Sequence, residues 1–504
     1  MKHSLLTLLA LVFPLLVQAD PLDFQPIYDG KSLNNWDGDP KFWKIEDGVI
    51  TGQTTAENPT KGNTFLIWKG GELDDFELQV DFKIESGNSG IQIRSFPLKG
   101  ADQWRIGGYQ SDFDYENKWT GLIYGEQYRG LLSKPGEKST IGDNGKPTVT
   151  GKTGDRAELA KAIKKDDWNT YHIVAKGNHI KHSINGVLQA ELTDEDDAAL
   201  RSGLLALQLH AGPPMKVQFR NILLKRLKME DKKKVVFLAG RPSHGHAAHE
   251  HRAGCMLLAR LLNENLGDKI HAVTYHYGWP SDPTALQNAD SIIIFCDGGG
   301  GHLAKPHLHE IEPYMKAGVG LGCIHYGVEI PKGEQGGEHF LRWIGGYFET
   351  HWSVNPHWTA EFTSFPDHPV ASGLQPFKAL DEWYYHMRFA EDAKITSILK
   401  AHPPKETLRR KDGGHSGNPH VRAAILDRKE EQTVCWVIDR PDGGRGFGFT
   451  GAHFHNNWAN DNFRKTVLNG ITWISHVEVP EGGVPSATPN EEELLENQDY
   501  PKKK

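Results

Sequence analysis

The chain has 504 residues, a net charge of −8 and a hydrophobic content of 38%. This length is too great for one hydrophobic core, and domains of about 100–200 residues predict two or three units. The mild charge is spread along the chain, which argues against a nucleic-acid partner. Sparse cysteines, all in the second half, predict buried thiols rather than a disulfide framework: Cys255, Cys296, Cys323 and Cys435.

Residues 1–19 have the pattern of a secretory signal peptide. Met1–Ser4 carries one lysine, and the apolar run Leu5–Val17 that follows is shorter than the roughly 20 residues of a membrane span. Val17–Ala19 then offers small residues where a signal peptidase cuts. We expect cleavage before Asp20, a secreted or periplasmic mature chain and no membrane span.

Residues 20–229 are predicted to form an all-β sandwich. Phe76, Leu78, Val80 and Phe82 alternate with polar residues, a period of two that is typical of half-buried strands. The segment from 179 to 192 predicts a hairpin that turns at Asn185-Gly186. Many short strands with polar turns and little helical pattern favour a sandwich.

The pattern changes after a charged linker at 230–234. Residues 235–480 alternate continuous apolar strands with helical stretches, beginning with the strand at 235–239 and the helix at 254–266. This alternation predicts an α/β domain, a doubly wound parallel sheet covered on both faces. The tail at 481–504 is rich in Pro, Glu and Lys and is predicted to be disordered.

Histidines collect where the predicted strands end. The first strand leads into the cluster His244, His246, His249 and His251, and later strands lead to His276, to Asp297 with His302, to His325, and to His453 with His455. Ligands of open parallel sheets bind beyond the carboxyl ends of the strands. The pattern therefore predicts a functional rim.

Histidine is the commonest metal ligand near neutral pH, and a carboxylate can complete the coordination shell. We expect some of the candidate ligands His249, His251, His325, His453 and His455 to meet around zinc or a similar divalent ion. The alternative is that several of them bind substrate hydroxyls or cap a helix. No nucleotide cofactor is expected.

The segment Cys323–Glu329 has the form of a strand-to-helix nucleophile elbow. The reactive position of such an elbow needs a small residue two places later, and Gly327 follows His325 at that spacing. Histidine at the elbow can act as a base or a ligand, but it cannot form a thioester. The sequence therefore argues against amidotransferase chemistry and makes His325 a candidate catalytic residue.

Residues 233–480 resemble the ThuA-like (trehalose-utilisation) domain of the glutamine-amidotransferase-like superfamily. The resemblance implies a flavodoxin-like fold and a role near disaccharide or keto-sugar catabolism, without a settled reaction. The segments that carry it are 249–254, 296–302, 320–325, 348–358, 381–386 and 451–455.

Residues 24–227 resemble the 3-keto-disaccharide hydrolase domain, a concanavalin-like sandwich. The matching segments are 28–33 with Trp36, 43–50, 88–94, 120–124 and Trp168-Asn169. Membership implies cleavage of glycosides oxidised at C3, so that the expected partner is an oligosaccharide or an oxidised disaccharide. A 3-keto group acidifies the C2 proton, so a base can expel the C1 substituent and water can add back. This chemistry needs a base and a donor to the enolate oxygen.

Strand alternation selects the candidates for that chemistry in the sandwich. Gln92 shares a face with Arg94, and Gln208 shares a face with His210, so that these side chains could line a groove. We expect Arg94 to hold the enolate oxygen and His210 to act as the base. Asp112 and Asp114 could orient hydroxyls, and Tyr124 could lie nearby.

Two hypotheses remain open from the sequence. In the first, the protein is an enzyme that cleaves 3-keto-glycosides, and the second half adds a further step or binding. In the second, the sandwich is a lectin-like module attached to a catalytic or metal-binding ThuA-like half. Concanavalin-like sandwiches serve both purposes, so fold alone does not decide between them. The sequence also leaves the oligomeric state open.

Overall fold

The computed structural model describes residues 20–501. The expected signal peptide lies outside the described residues. Between residues 20 and 227 the structure has seventeen strands, which form the first domain together with helix α1, Arg156–Ala160. The strands are β1 Gln25–Pro26, β2 Trp36–Asp37, β3 Trp43–Glu46, β4 Val49–Gln53, β5 Thr64–Trp68, β6 Phe76–Ser86, β7 Asn88–Pro97, β8 Ile106–Asp114, β9 Ile123–Glu126, β10 Gly130–Ser133, β11 Glu137–Ile141, β12 Pro147–Lys152, β13 Asn169–Lys176, β14 His179–Ile184, β15 Val187–Asp194, β16 Leu204–Leu209 and β17 Lys216–Arg226.

These strands form a sandwich of two sheets. One sheet has the order β12-β11-β15-β14-β13-β6-β17-β4-β3, with β1 added on β17, and the other has the order β10-β9-β8-β7-β16-β5-β2. The apolar residues of the alternating strands meet between the sheets, where Phe82 of β6 packs on Phe113 of β8 at 4.1 Å between ring centroids. The predicted all-β sandwich is therefore confirmed for this half.

The second half contains a sheet with helices on both of its faces. The elements are β18 Lys233–Ala239, α2 His251–Leu266, β19 Ile270–Tyr275, β20 Ser291–Phe295, α3 Leu308–Lys316, β21 Gly320–Ile324, α4 Gly337–Trp343, β22 Gly346–Tyr347, β23 Trp358–Phe362, β24 Phe377–Asp381, β25 Arg388–Phe389, β26 Thr396–Ala401, α5 Pro419–Arg422, β27 Gln432–Asp439, β28 Arg445–Phe449, α6 Asp461–Ile474 and α7 Glu491–Leu495.

The main sheet of this domain is mixed. Its order is β19-β18-β20-β21-β28-β27-β26, and the first five strands are parallel whereas β27 and β26 are antiparallel. The apolar residues of α2 and α6 pack on one face, and those of α3 and α4 pack on the other. A purely parallel sheet was expected, so the hairpin at one edge corrects that prediction. The flavodoxin-like assignment stays a prediction.

The predicted linker is shorter than expected because its last two residues belong to β18. Lys233 and Lys234 pair with Ile270 and His271 of the neighbouring parallel strand. The Lys234 side chain is 1% exposed, and its ammonium forms an ion pair with Asp74 of the sandwich. The charge pattern of this segment therefore reflects a buried contact between the two halves as well as solvent exposure.

The tail was predicted to be disordered, whereas its described part is packed. Asn490 caps α7 through a capping box with Glu493, and Leu494 is buried in the core beside α2 and α6. Asp499 pairs with Arg252 at 2.9 Å. The polar composition misled the prediction because a few buried and paired residues suffice to anchor a short segment. None of the helices between residues 20 and 501 is long and apolar enough to cross a membrane.

Candidate metal centre and sugar site

Four segments converge beyond the carboxyl ends of the parallel strands. The loop after β18 carries His249, His325 directly follows β21, the loop after β28 carries His453, and the turn after β24 carries Glu382. Two backbone hydrogen bonds join the first and third of these loops: the His249 N–H donates to the His453 carbonyl at 3.0 Å, and the His455 N–H donates to Ala247 at 2.9 Å. Tertiary pairing thus places side chains from distant parts of the chain at one point.

The donor atoms of these four residues lie at the spacing of ligands around one ion. His249 Nε2 is 3.1 Å from His325 Nε2 and 3.0 Å from His453 Nδ1. Glu382 Oε2 is 3.1 Å from His453 Nδ1 and 3.6 Å from His325 Nε2. Ligands at 2.0–2.1 Å around a tetrahedral zinc ion are separated by about 3.4 Å. The measured distances fit a four-donor site.

The hydrogen bonds at the far side of each ring settle which nitrogen carries the lone pair. His325 Nδ1 is 2.9 Å from the Thr450 carbonyl, which can only accept, so Nδ1 carries the proton. His249 Nδ1 likewise donates to Asp297 at 2.9 Å. Both Nε2 atoms therefore point unprotonated lone pairs at each other. Facing acceptors repel each other, a cation between them would remove that repulsion, and metal-binding histidines usually donate their other N–H group in this way.

Two of the four donors sit on left-handed backbone. His249 has φ +50° and His325 has φ +52°, conformations that are uncommon for residues other than glycine. At His325 the strand turns sharply into a 3₁₀ helix, His325–Val328. A Cβ at Gly327 would lie 3.0 Å from the Ile294 carbonyl, which explains the small residue at that position. Strain of this kind clusters at functional sites.

Two carboxylates hold the histidines in place. Burial disfavours the charged form of Asp297, but hydrogen bonds from His249 and Ser243 outweigh it and lower its pKa to about 2. Asp381 is fully buried and accepts the backbone N–H groups of Ala452 and His453 at 2.9 and 3.0 Å. Burial raises the pKa of Asp381 to about 6. The carboxylates thereby orient the loop donors.

Glu382 and Tyr384 were not singled out individually from the sequence. The Tyr384 hydroxyl is 3.3 Å from His325 Nε2 and 3.4 Å from Glu382 Oε2. Burial raises the pKa of this phenol well above its usual value, so the hydroxyl stays protonated. Both residues lie in the segment 381–386 that carried the family resemblance. That resemblance was the available signal, because no strand-end rule points to them.

His251 and His455 do not join the four-donor cluster. His251 opens α2, and its Nδ1 lies 3.1 Å from the Arg241 carbonyl. His455 is 2% exposed and lies beside the tail, where the carbonyl of Leu494 accepts a hydrogen bond. Burial lowers the pKa of each to about 4. Of the five candidate ligands, the structure brings His249, His325 and His453 together, whereas the side chains of His251 and His455 leave their loops in other directions.

Arg94 does not line a groove in the sandwich, contrary to the prediction. The register between β7 and β8 shifts after Ile93, and Arg94 takes φ +45°, so alternation fails at this residue. The side chain is 1% exposed and pairs with Asp75 at 2.8 Å. The Asp74, Gly177 and Leu200 carbonyls accept its remaining hydrogen bonds at 2.9, 2.6 and 3.4 Å. Arg94 is thus a buried structural cation and cannot hold an enolate.

The other sandwich candidates share one face of the second sheet. Gln92 and Gln208 both donate to Gln110 Oε1, at 3.0 and 2.9 Å, and Gln110 donates in turn to Asp112. Burial raises the pKa of Asp112 to about 8, so this carboxyl is protonated near neutral pH. The structure therefore joins Gln208 and Asp112 in a network, although both are buried rather than open to solvent.

His210, Tyr124 and Asp114 have different surroundings. His210 is partly buried, and its Nδ1 lies 2.5 Å from the Ala211 carbonyl, which leaves Nε2 as the free nitrogen. Tyr124 is the cross-strand partner of Gln110 and stands beside the network. Asp114 accepts the backbone N–H groups of Trp119 and Thr120 at 2.6 and 3.1 Å, so it orders a turn.

Two cavities adjoin the four-donor cluster of His249, His325, His453 and Glu382. One of about 560 Å³ is lined by Asp297, Arg241 and Trp279, and the other, of about 700 Å³, by Glu382, His357 and Arg410. Sites for small molecules span about 300–1,000 Å³. Each cavity has room for a sugar ring beside a carboxylate that contacts the cluster.

The order of the two domains identifies the class of protein. Residues 23–225 match the model of the 3-keto-alpha-glucoside-1,2-lyase-like domain, and residues 235–474 match the trehalose-utilisation (ThuA) family model. The chain therefore matches the two family models one after the other, in the predicted order, which confirms both resemblances. The two matches make it a carbohydrate-active protein.

Among solved structures, the sandwich is similar to a protein of Parabacteroides distasonis ATCC 8503 that is provisionally assigned as a glycosyl hydrolase (21% identity, 41% of this chain, 100% of that chain, TM-score 0.28). It is also similar to the carbohydrate-binding module CBM66 from Bacillus subtilis (15% identity, 38% of this chain, 95% of that chain, TM-score 0.25). A provisionally assigned ThuA-like protein of Bacteroides uniformis ATCC 8492 resembles the second half (16% identity, 50% of this chain, 94% of that chain, TM-score 0.35). No curated protein matches the chain.

Proposed function

We propose that the protein is an enzyme of keto-sugar catabolism whose ThuA domain holds a divalent metal ion. The ligands are His249, His325, His453 and Glu382. The observation that carries the proposal is the convergence of their donor atoms at 3.0–3.6 Å, with the lone pairs of two buried imidazoles facing each other. Secretion and the 3-keto substrate stay predictions.

When bound, such an ion supplies Lewis acidity toward a sugar carbonyl or hydroxyl. The protein residues do the rest. Asp297 and the Thr450 carbonyl fix the two imidazole orientations, and the protonated Tyr384 hydroxyl can donate a hydrogen bond to a substrate oxygen at the cluster. The adjoining cavities would hold the sugar ring and its leaving group. A keto sugar fits these groups because its carbonyl oxygen gains negative charge during enolisation.

The sandwich is the second candidate for chemistry, since its family is described as lyase-like. In a 3-keto-α-glucoside, His210 Nε2 would take the C2 proton. The electrons of that C–H bond would form the C1–C2 double bond while the C1–O bond breaks, and the departing oxygen would take a proton from water to leave as the alcohol. The contact between Nδ1 and the Ala211 carbonyl supports this role because, in the neutral imidazole, it places the lone pair on Nε2. Arg94 has no part in it.

Metal analysis tests the centre. Protein purified without chelator should contain a stoichiometric divalent ion, and His325→Ala and Glu382→Gln should lower the metal content at least tenfold, since each removes one of four ligands. His309→Ala is the control, because His309 is 57% exposed and lies on α3 away from the cluster. Equal metal in all variants, or none in the native protein, would contradict the proposal.

Turnover assigns the reaction to a domain. The native protein should release the aglycone from a 3-keto-α-glucoside and exchange the C2 proton with deuterated water. Loss of both in His210→Ala, with metal content unchanged, places elimination in the sandwich. Loss in His325→Ala with normal activity in His210→Ala places it at the metal centre and favours a binding role for the sandwich. No turnover of any 3-keto-glycoside would reject the substrate class.

A further inference from the structure

A histidine–carboxylate pair lies near the four-donor cluster without belonging to it. His415 Nε2 is 3.0 Å from both carboxylate oxygens of Glu329. A carboxylate only accepts hydrogen bonds, so Nε2 carries a proton and donates it to this pair of oxygens. The Glu329 side chain is 3% exposed, whereas that of His415 is 37% exposed. His415 Nδ1 makes no hydrogen bond within residues 20–501, which leaves it available to a ligand.

The backbone of His415 is tied to a residue of the cluster. Its carbonyl accepts the Asn355 N–H and the Arg410 guanidinium, each at 3.1 Å. The Asn355 side chain in turn donates to Glu382 Oε1 at 3.1 Å. Asn355, Arg410 and Glu382 all line the cavity of about 700 Å³. The loop that carries His415 is therefore anchored to the wall of a cavity that adjoins the cluster.

Aromatic packing fixes the plane of the His415 ring. The imidazole stacks on Phe348 at 5.2 Å between ring centroids, with the two planes 23° apart. The other neighbour of Phe348 is Tyr384, at 5.3 Å between centroids. The Tyr384 hydroxyl lies 3.3 Å from His325 Nε2 at the cluster. A single aromatic ring thus separates His415 from the side chain that reaches the cluster.

The surroundings of His415 favour its charged form. The hydrogen bond to Glu329 raises the pKa of His415 most, and the negative charges of Glu329 and Glu382 raise it further. Burial and the positive charge of Arg410 oppose this, but the pKa stays above its ordinary value. A larger share of the ring is therefore cationic near neutral pH than for a free histidine. In that form Nδ1 carries a proton that no protein group accepts.

We propose that His415 is a hydrogen-bond donor of the active site, whose Nδ1–H group binds the carbonyl oxygen of a keto sugar held at the cluster. Glu329 is its positioning residue. The inference rests on the proposed function and deepens it, because it names the donor that the enolate oxygen needs. The sequence assigned this role to Arg94, which is buried in the other domain.

The donor acts while the keto sugar enolises. The C2 proton passes to solvent water, and the electrons of the C2–H bond form a C2–C3 double bond. The C3 carbonyl oxygen takes up the displaced electron pair and becomes negative. A cationic N–H group at that oxygen stabilises the charge as it develops. The Nε2 proton stays in its hydrogen bond with Glu329 throughout, so that Nδ1 keeps its direction.

Exchange of the C2 proton with deuterated water tests the proposal. Methyl 3-keto-α-glucoside is the probe, and full-length, metal-loaded His210→Ala is the parent, because this change removes the base of the sandwich. Adding His415→Gln should slow exchange about 100–1,000-fold, the usual effect of removing one donor to an oxyanion, with metal content unchanged. Adding His402→Gln is the control, since His402 is 64% exposed and pairs only with Glu431.

The pH profile separates a donor from a structural residue. The ratio of the parent rate to the His415→Gln rate should fall as the pH rises through the pKa of His415, because the neutral ring loses its charge. Glu329→Gln should move this fall to lower pH, since it removes the main cause of the raised pKa. A loss that is the same at every pH shows a structural role and overturns the proposal.

The remaining outcomes distinguish this inference from the metal centre. An unchanged exchange rate in His415→Gln, with metal bound, overturns the donor and leaves the centre intact. Loss of all exchange in the His210→Ala parent, with metal bound, also overturns it, because enolisation then belongs to the sandwich. Absence of metal from the native protein is a failure of the proposed function itself, and elemental analysis detects it before any substrate is added.

Discussion

At the scale of single residues, hydrogen bonds made away from the cluster set the chemistry at its centre. The carbonyl of Thr450 and the carboxylate of Asp297 each accept a hydrogen bond from the Nδ1–H group of a histidine, which leaves the lone pair on Nε2. The same reasoning applies to His210, whose Nδ1 faces the Ala211 carbonyl. In each case the available nitrogen of the imidazole is set by a neighbouring group that only accepts a hydrogen bond from the other nitrogen.

Asp112→Asn should stabilise the sandwich at alkaline pH. Burial raises the pKa of Asp112 from its ordinary value near 4 to about 8, so the stability that its protonated form contributes is complete below pH 4 and is lost as the pH rises to 8. Asparagine mimics the protonated acid and does not titrate. Urea unfolding should show a gain over the native protein that grows between pH 5 and pH 8 and then levels off. A pH-independent difference would contradict this.

At the scale of elements, the C-terminal segment acts as a clamp on the loop that carries His249. The Ala247 N–H donates to Gln498, and the Asp499 N–H donates to Glu250 at 3.0 Å. His246 Nδ1 lies 3.0 Å from the Tyr500 carbonyl. The loop itself contains left-handed residues, Ala247 and His249 among them. Contacts from the tail thus help to hold a strained backbone in the arrangement that the metal centre needs.

A chain that ends at Asn490 should bind metal about 10-fold more weakly than the full chain, since outer partners of metal ligands are worth about 10–100-fold in affinity. Competition with a chromogenic chelator measures the difference. A chain that ends at Pro501 is the matched control, because it keeps every described contact of the tail. Equal affinity of the two truncated chains would show that the loop holds its shape without the clamp.

At the scale of the whole molecule, a buried polar network joins the two domains. Arg226 at the end of β17 pairs with Asp282 at 2.9 Å, with both side chains fully buried. Asp74 of the sandwich pairs with Lys234 and accepts a hydrogen bond from Asn288 at 3.0 Å. Such charges are stable in the interior only as a complete set, so the domains should unfold together.

Asp282→Asn should lower the free energy of unfolding by about 3–5 kcal/mol, because it leaves the buried Arg226 without its closest carboxylate. Calorimetry should then resolve two transitions where the native protein shows one. Asp439→Asn is the control: Asp439 pairs with Arg445 at 3.2 Å but is 74% exposed, and a surface pair is worth about 0–1 kcal/mol. Similar losses in both variants would contradict the coupling.

Local patterns were enough to predict much of the architecture. A period of two placed Phe76, Leu78, Val80 and Phe82 in a sandwich core, and continuous apolar runs marked the parallel strands. Strand ends also brought His249, His325 and His453 to one rim, because all parallel strands finish at the same edge of a sheet. These properties follow from hydrophobic periodicity and chain direction, which the sequence determines on its own.

Tertiary structure decided which side chains meet. The irregular backbone at Arg94 turned its side chain away from the face that strand alternation predicts, because alternation holds only while the backbone stays regular. Glu382 and Tyr384 reached the cluster from a turn outside the main sheet, and the far-side partners of His251 and His455 turned those rings away from the four donors. Convergence depends on loop geometry and on hydrogen bonds between distant segments, and no short-range pattern in the sequence encodes either.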